Sequence, residues 1–87
     1  MLKGKVAIVT GSGNGVGKGI ALRLSQKGAD IVVNDIDGAA ANEVAKMIKE
    51  QGGNAIAVKA DVSKKSEVEI LVQTTVTEFG RLDILVN

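Results

Sequence analysis

Apolar residues along this chain fall into two alternating kinds of run. Short, nearly unbroken aliphatic runs occupy residues 5–9 (KVAIV), 30–34 (DIVVN), 55–60 (AIAVKA) and 82–86 (LDILV). Strands covered on both faces of a parallel sheet read this way, because neither side of the strand meets water. Between the runs, apolar positions recur at helical spacing. Val16, Ile20, Ala21 and Leu24 form the first set, Ala41, Val44, Ala45 and Ile48 the second, and Val68, Leu71, Val72, Thr75 and Phe79 the third. The second helix is expected over about residues 39–51, ended by Gly52-Gly53, and the third over about 64–79, stopped by Gly80. Strand, helix, strand, helix, strand, helix, strand predicts an α/β fold, a Rossmann-type doubly wound parallel sheet in the order 3-2-1-4 with right-handed crossovers. No linker, repeat or low-complexity tract divides the chain, so residues 1–87 are read as one unit.

Candidate chemistry gathers where the strands end. Thr10-Gly11-Ser12-Gly13-Asn14-Gly15-Val16-Gly17 follows the first strand and opens the first helix. Bare backbone there can approach a ligand closely, and a helix amino terminus brings unpaired N–H groups and a positive dipole end to an anion. The spacing T-G-x-x-x-G-x-G matches neither G-x-G-x-x-G nor the G-x-x-x-x-G-K-[ST] loop of nucleotide hydrolases. Lys18 reads as a solvated helix residue, since anion binding at such a loop belongs to the backbone. Asp35 stands at the end of the second strand, 24 positions after Gly11. An acid there accepts hydrogen bonds from ribose hydroxyls, and a 2'-phosphate would meet like charge, with no cation at Asn14 or Ile36 to receive it. NAD is therefore expected over NADP. Asp61-Val62 follows the third strand, placing a carboxylate and an apolar side chain where adenine would lie. Ser63 is expected to cap the third helix and leave Asp61 free.

These residues together resemble the amino-terminal half of the short-chain dehydrogenase/reductase family: Thr10-Gly11 with Gly15 and Gly17, Asp35, Asp61-Val62 and the closing Leu82-Asp83-Ile84-Leu85-Val86-Asn87. The resemblance covers the whole chain. It implies a dinucleotide-binding half-domain of an NAD-dependent oxidoreductase that transfers hydride between NAD and an alcohol or carbonyl substrate. Backbone N–H groups of residues 12–16 would hold pyrophosphate, Asp35 and its neighbour Ile36 the ribose end, Asp61 and Val62 adenine, and Asn87 would lie beside the cofactor as the first residue of the family's Asn-Asn-Ala-Gly motif. The family's catalytic asparagine, serine, tyrosine and lysine belong to a later half, so this chain alone is expected to bind and not to turn over. Two alternatives come from other classes. An S-adenosylmethionine methyltransferase also carries glycines after its first strand, but Val9-Thr10 replaces the acid-rich strand end such enzymes resemble. A non-catalytic nucleotide-binding or assembly module is the second.

Composition narrows the classes further. The chain has no His, Cys or Tyr, which excludes a histidine base, a thiolate nucleophile, a disulfide and a tyrosine acid within these residues. No metal-ligand spacing is present. A formal charge of +1 and a single aromatic residue, Phe79, argue against a nucleic-acid partner. No apolar run is long enough to span a membrane or to act as a signal peptide, and a cytoplasmic location is expected. At 87 residues a domain buries only roughly 60–65% of its unfolded surface, so its stability margin is thin. The fourth run is apolar on both faces at Leu82, Ile84, Leu85 and Val86, and self-association through this strand is expected.

Overall fold

The computed structural model describes residues 1–87. Four parallel strands, β1 (Val6–Val9), β2 (Asp30–Asp35), β3 (Ala55–Lys59) and β4 (Ile84–Val86), form one sheet in the order β3-β2-β1-β4. Helices α1 (Gly15–Gln26), α2 (Gly38–Glu50) and α3 (Lys65–Phe79) make the crossovers. The expected class and strand order are borne out.

β1 is buried along its whole length, as its unbroken aliphatic sequence requires. Side chains alternate between the two faces of the sheet. Ala7, Val9, Ile31 and Val33 join Ala21 of α1 and Ala41, Val44, Ala45 and Ile48 of α2 in the larger core. Ile8 and Val32 face the other way, onto Leu71 of α3. Val72, Phe79 and Leu82 close around that smaller core, half-buried. Burying a residue such as Leu71 contributes roughly 1.5–3 kcal/mol, so the α3 face, with one fully buried leucine, is the weaker layer. Leu85, on β4, is 54% exposed. No helix is long and apolar enough to cross a membrane.

Element ends differ from the sequence reading by one or two residues. β2 runs on to Asp35, which pairs with Lys59. β4 begins at Ile84 because the positions before it are tied to β1 by a side chain as well as by backbone, an arrangement no ladder pattern predicts. Val16 departs from the core assignment: it is 82% exposed. It lies in the first turn of α1, where the chain is still climbing away from the strand end, and only from Ile20 onward does the helix lie over the sheet.

Candidate functional site

The β1–α1 connection is shaped from within. Gly11 and Gly15 both take φ of +59°, a left-handed conformation that side chains disfavour. Between them Ser12 is fully buried. Its N–H donates to the Asn34 carbonyl at 2.8 Å, its hydroxyl donates to the Val9 carbonyl at 2.6 Å, and its oxygen accepts the Asn34 N–H at 3.1 Å. The Gly13 N–H donates to Asp35 Oδ2 at 3.0 Å. Gly17 packs directly on the carbonyl of Gly11, which a Cβ would strike.

This network divides the loop's donors. Ser12 departs from the expected phosphate contact: its N–H and hydroxyl are both consumed inside the fold, and the Gly13 N–H is consumed by Asp35. The N–H groups of Asn14, Gly15, Val16 and Gly17 have no acceptor within the protein. Asn14 caps α1 in an extended conformation, φ −149° and ψ 163°, without using its side chain, and the first turn holds no acidic residue. An anion is the chemically matched occupant of such a helix end, and the free donors run from residue 14 to 17 rather than 12 to 16.

Asp35 is oriented by the backbone on both sides. Oδ2 takes the Gly13 N–H and Oδ1 the Asp37 N–H at 3.0 Å. Asp37 in turn caps α2, its Oδ1 accepting from the Ala40 N–H at 3.1 Å. The carboxylate is thus a fixed acceptor beside the glycine loop, with lone pairs left for hydroxyls.

Asp61 corrects the capping expectation. Its Oδ1 accepts both the Ser63 hydroxyl at 2.6 Å and the Ser63 N–H at 3.0 Å, and Lys64 occupies the helix cap position without a side-chain bond. Ser63 therefore engages Asp61 instead of freeing it. The hydroxyl bond, then the N–H bond, hold the Asp61 carboxyl below the ordinary carboxylate range. Glu67 Oε1 accepts the Asp61 N–H at 2.7 Å, and its other oxygen lies 3.8 Å from Lys64 Nζ, so α3 grips the loop that bears Asp61 and Val62.

Three apolar side chains at this end of the sheet are exposed: Val16, Ile36 at 64% and Val62 at 43%. On the far side, Thr10 Oγ1 lies 3.2 Å from the Val86 carbonyl and 3.3 Å from Asn87 Oδ1, which brings Asn87 beside the start of the glycine loop. Every expected site residue thus lies at the carboxyl end of the sheet. Sequence reasoning missed Asn34, whose one visible signal is a polar residue closing an otherwise aliphatic run.

A family model described as short chain dehydrogenase matches residues 5–87. The chain belongs to this family. The chain is 57% identical over 83 residues to a diacetyl reductase [(S)-acetoin forming] of Staphylococcus epidermidis, covering 95% of this chain and 32% of that protein. It is 46% identical to glucose 1-dehydrogenase 2 of Bacillus subtilis over 87 residues, covering 99% and 34%. Among solved structures, a 7α-hydroxysteroid dehydrogenase complexed with NADH and 7-oxo glycochenodeoxycholic acid superposes with a TM-score of 0.97 at 43% identity, covering 99% of this chain and 34% of that one. A hydroxysteroid dehydrogenase from Escherichia coli gives 0.95 at 42%, covering 97% and 36%. The chain spans about a third of the length of these relatives. Membership in an oxidoreductase family removes the methyltransferase alternative.

Proposed function

We propose that residues 1–87 form the dinucleotide-binding half-domain of a cytoplasmic, NAD-dependent short-chain oxidoreductase acting on an alcohol or carbonyl substrate. The observation that carries this reading is the placement of the fixed Asp35 carboxylate beside a helix end with four unpaired N–H groups, Asn14 to Gly17. The N–H groups receive pyrophosphate, and Gly11, Gly15 and Gly17 hold the loop open for it. Asp35 accepts from the adenosine ribose hydroxyls, with Ile36 packing beside them. Asp61 retains one oxygen for the adenine amino group, Val62 and Val16 lend apolar surface, and Asn87 flanks the cofactor's other end. The bound dinucleotide supplies the hydride acceptor or donor; the residues present here bind and orient it.

NAD is favoured over NADP because a 2'-phosphate would approach the Asp35 carboxylate, with Ile36 and Asn14 adding no positive charge. Calorimetry of the 87-residue chain with NAD and NADP tests the reading. NAD binding tighter by about tenfold or more is the expected result, equivalent to one order in dissociation constant. NADP binding tighter overturns the cofactor choice, and binding of neither overturns the function.

A further inference from the structure

Asn34 is a buried residue that bonds to both halves of the candidate site. Its backbone holds the glycine loop through Ser12, carbonyl to N–H at 2.8 Å and N–H to hydroxyl at 3.1 Å. Its side chain faces away from that loop and toward β3. Asn34 Nδ2 donates to the Val58 carbonyl at 3.0 Å and to the Ala60 carbonyl at 3.2 Å. Ala60 immediately precedes Asp61 and Val62, and β3 is an edge strand with only β2 beside it. Asn34 is 1% exposed, so its amide has traded water for these two carbonyls alone.

We propose that Asn34 is a positioning residue that joins the phosphate loop to the adenine wall, its backbone setting the first and its side-chain amide setting the second. The inference rests on the function proposed above. An aliphatic residue in this last position of the run would satisfy the strand's hydrophobic pattern, yet would remove both side-chain ties from the end of β3, leaving that end to the Ala60 N–H bond to the Asp35 carbonyl at 3.2 Å and the Asp61 N–H bond to Glu67. The Ala60–Val62 segment would then sample several positions, and apparent affinity falls in proportion to the fraction in the competent one. The glycine loop keeps its own bonds, because they come from the Asn34 main chain, which substitution does not remove. Loss of the side chain should therefore harm the adenosine part of a ligand and spare the phosphate part.

The test compares Asn34→Ala and Asn34→Asp with the unmodified chain, using ADP and inorganic pyrophosphate as probes in NMR titrations run well below each variant's thermal transition. Asp replaces the amide donor with a carboxylate facing two carbonyls, at nearly the same shape. The expected result is an ADP dissociation constant raised about tenfold, as when the competent fraction falls to roughly a tenth, with pyrophosphate affinity unchanged. Equal affinities for both probes beside a lowered Tm would mean a purely structural role and overturn the proposal. If both variants fail to fold, the side-chain amide signal of Asn34 in the unmodified protein decides: it should shift with ADP and not with pyrophosphate, and no shift overturns the coupling. Should the unmodified chain bind neither probe, the proposed function falls, and Asn34 is judged without ligand. Its amide's removal should broaden the backbone signals of Ala60, Asp61 and Val62, and unchanged signals in Asn34→Ala overturn the proposal.

Discussion

Val6 and Asp83 exchange two hydrogen bonds across the start of the β1–β4 pair: the Asp83 N–H donates to the Val6 carbonyl, and the Val6 N–H donates to Asp83 Oδ2, both at 2.9 Å. The carboxylate is itself held by Arg81, Nε to Oδ2 at 2.8 Å and Nη2 to Oδ1 at 2.7 Å. The Arg81 fork first, then the Val6 N–H, keep the Asp83 carboxyl below its ordinary range. A folded-state pKa below the unfolded value of about 3.9 contributes stability above that value, lost as pH falls through the folded one. Asp83→Asn should therefore lower Tm at neutral pH and flatten the acid limb of the stability curve. Thermal melts from pH 7 down to 2 check this; a variant as stable as the unmodified chain at neutral pH refutes it.

Two glycines of α1 should respond in opposite directions. A Cβ on Gly17 would run into the Gly11 carbonyl and the Ser12 backbone, whereas a Cβ on Gly19 meets nothing within 4 Å. Gly17→Ala should cost about 1–3 kcal/mol through overpacking. Gly19→Ala, exposed and inside the helix, should gain about 0.5–1 kcal/mol. Urea unfolding of the two variants measures both signs, and a stabilised Gly17→Ala contradicts the loop geometry.

Asp35 has two duties in this structure, reading the ribose in the proposed function and holding the Gly13 N–H. Asp35→Ala alone should thus weaken binding of both dinucleotides. Adding Ile36→Arg supplies a fork for the 2'-phosphate and should invert the preference toward NADP without restoring NAD affinity. Calorimetry on the single and double variants tests this, and retained NAD preference in the double variant counts against it.

The 87-residue chain should show no turnover, because it has no Tyr, His or Cys and its depressed carboxyls, Asp61 and Asp83, are occupied by Ser63 and Arg81. NADH absorbance followed with a panel of secondary alcohols and diketones is the measurement. A rate that Asp35→Arg abolishes would contradict the expectation.

Self-association of this chain should run through β4, an edge strand in the order β3-β2-β1-β4 whose Leu85 is 54% exposed. Sedimentation at high micromolar concentration should give dimers or larger species, reduced by Leu85→Lys with circular dichroism unchanged. A folded monomer that the substitution does not alter would refute it.

The sequence by itself determined the order of elements, the 3-2-1-4 sheet and the inward faces of α2 and α3. Aliphatic runs and helical spacing record burial directly, and Ala41, Val44, Ala45 and Ile48 are buried as their spacing requires. It also brought Gly11, Asp35, Asp61 and Asn87 to one end of the sheet, since a parallel strand order carries every strand's carboxyl end to the same side. Only the tertiary structure decided which donors are free. Ser12 and Gly13 spend their N–H groups on Asn34 and Asp35, 22 residues away, and Asn14 to Gly17 do not. It decided too that Val16 points outward, that Ser63 holds Asp61, and that Asn34 ties β2 to β3. Burial leaves its mark on a residue's own identity, but a hydrogen bond is a property of two positions brought together by the fold, and neither position alone encodes its partner.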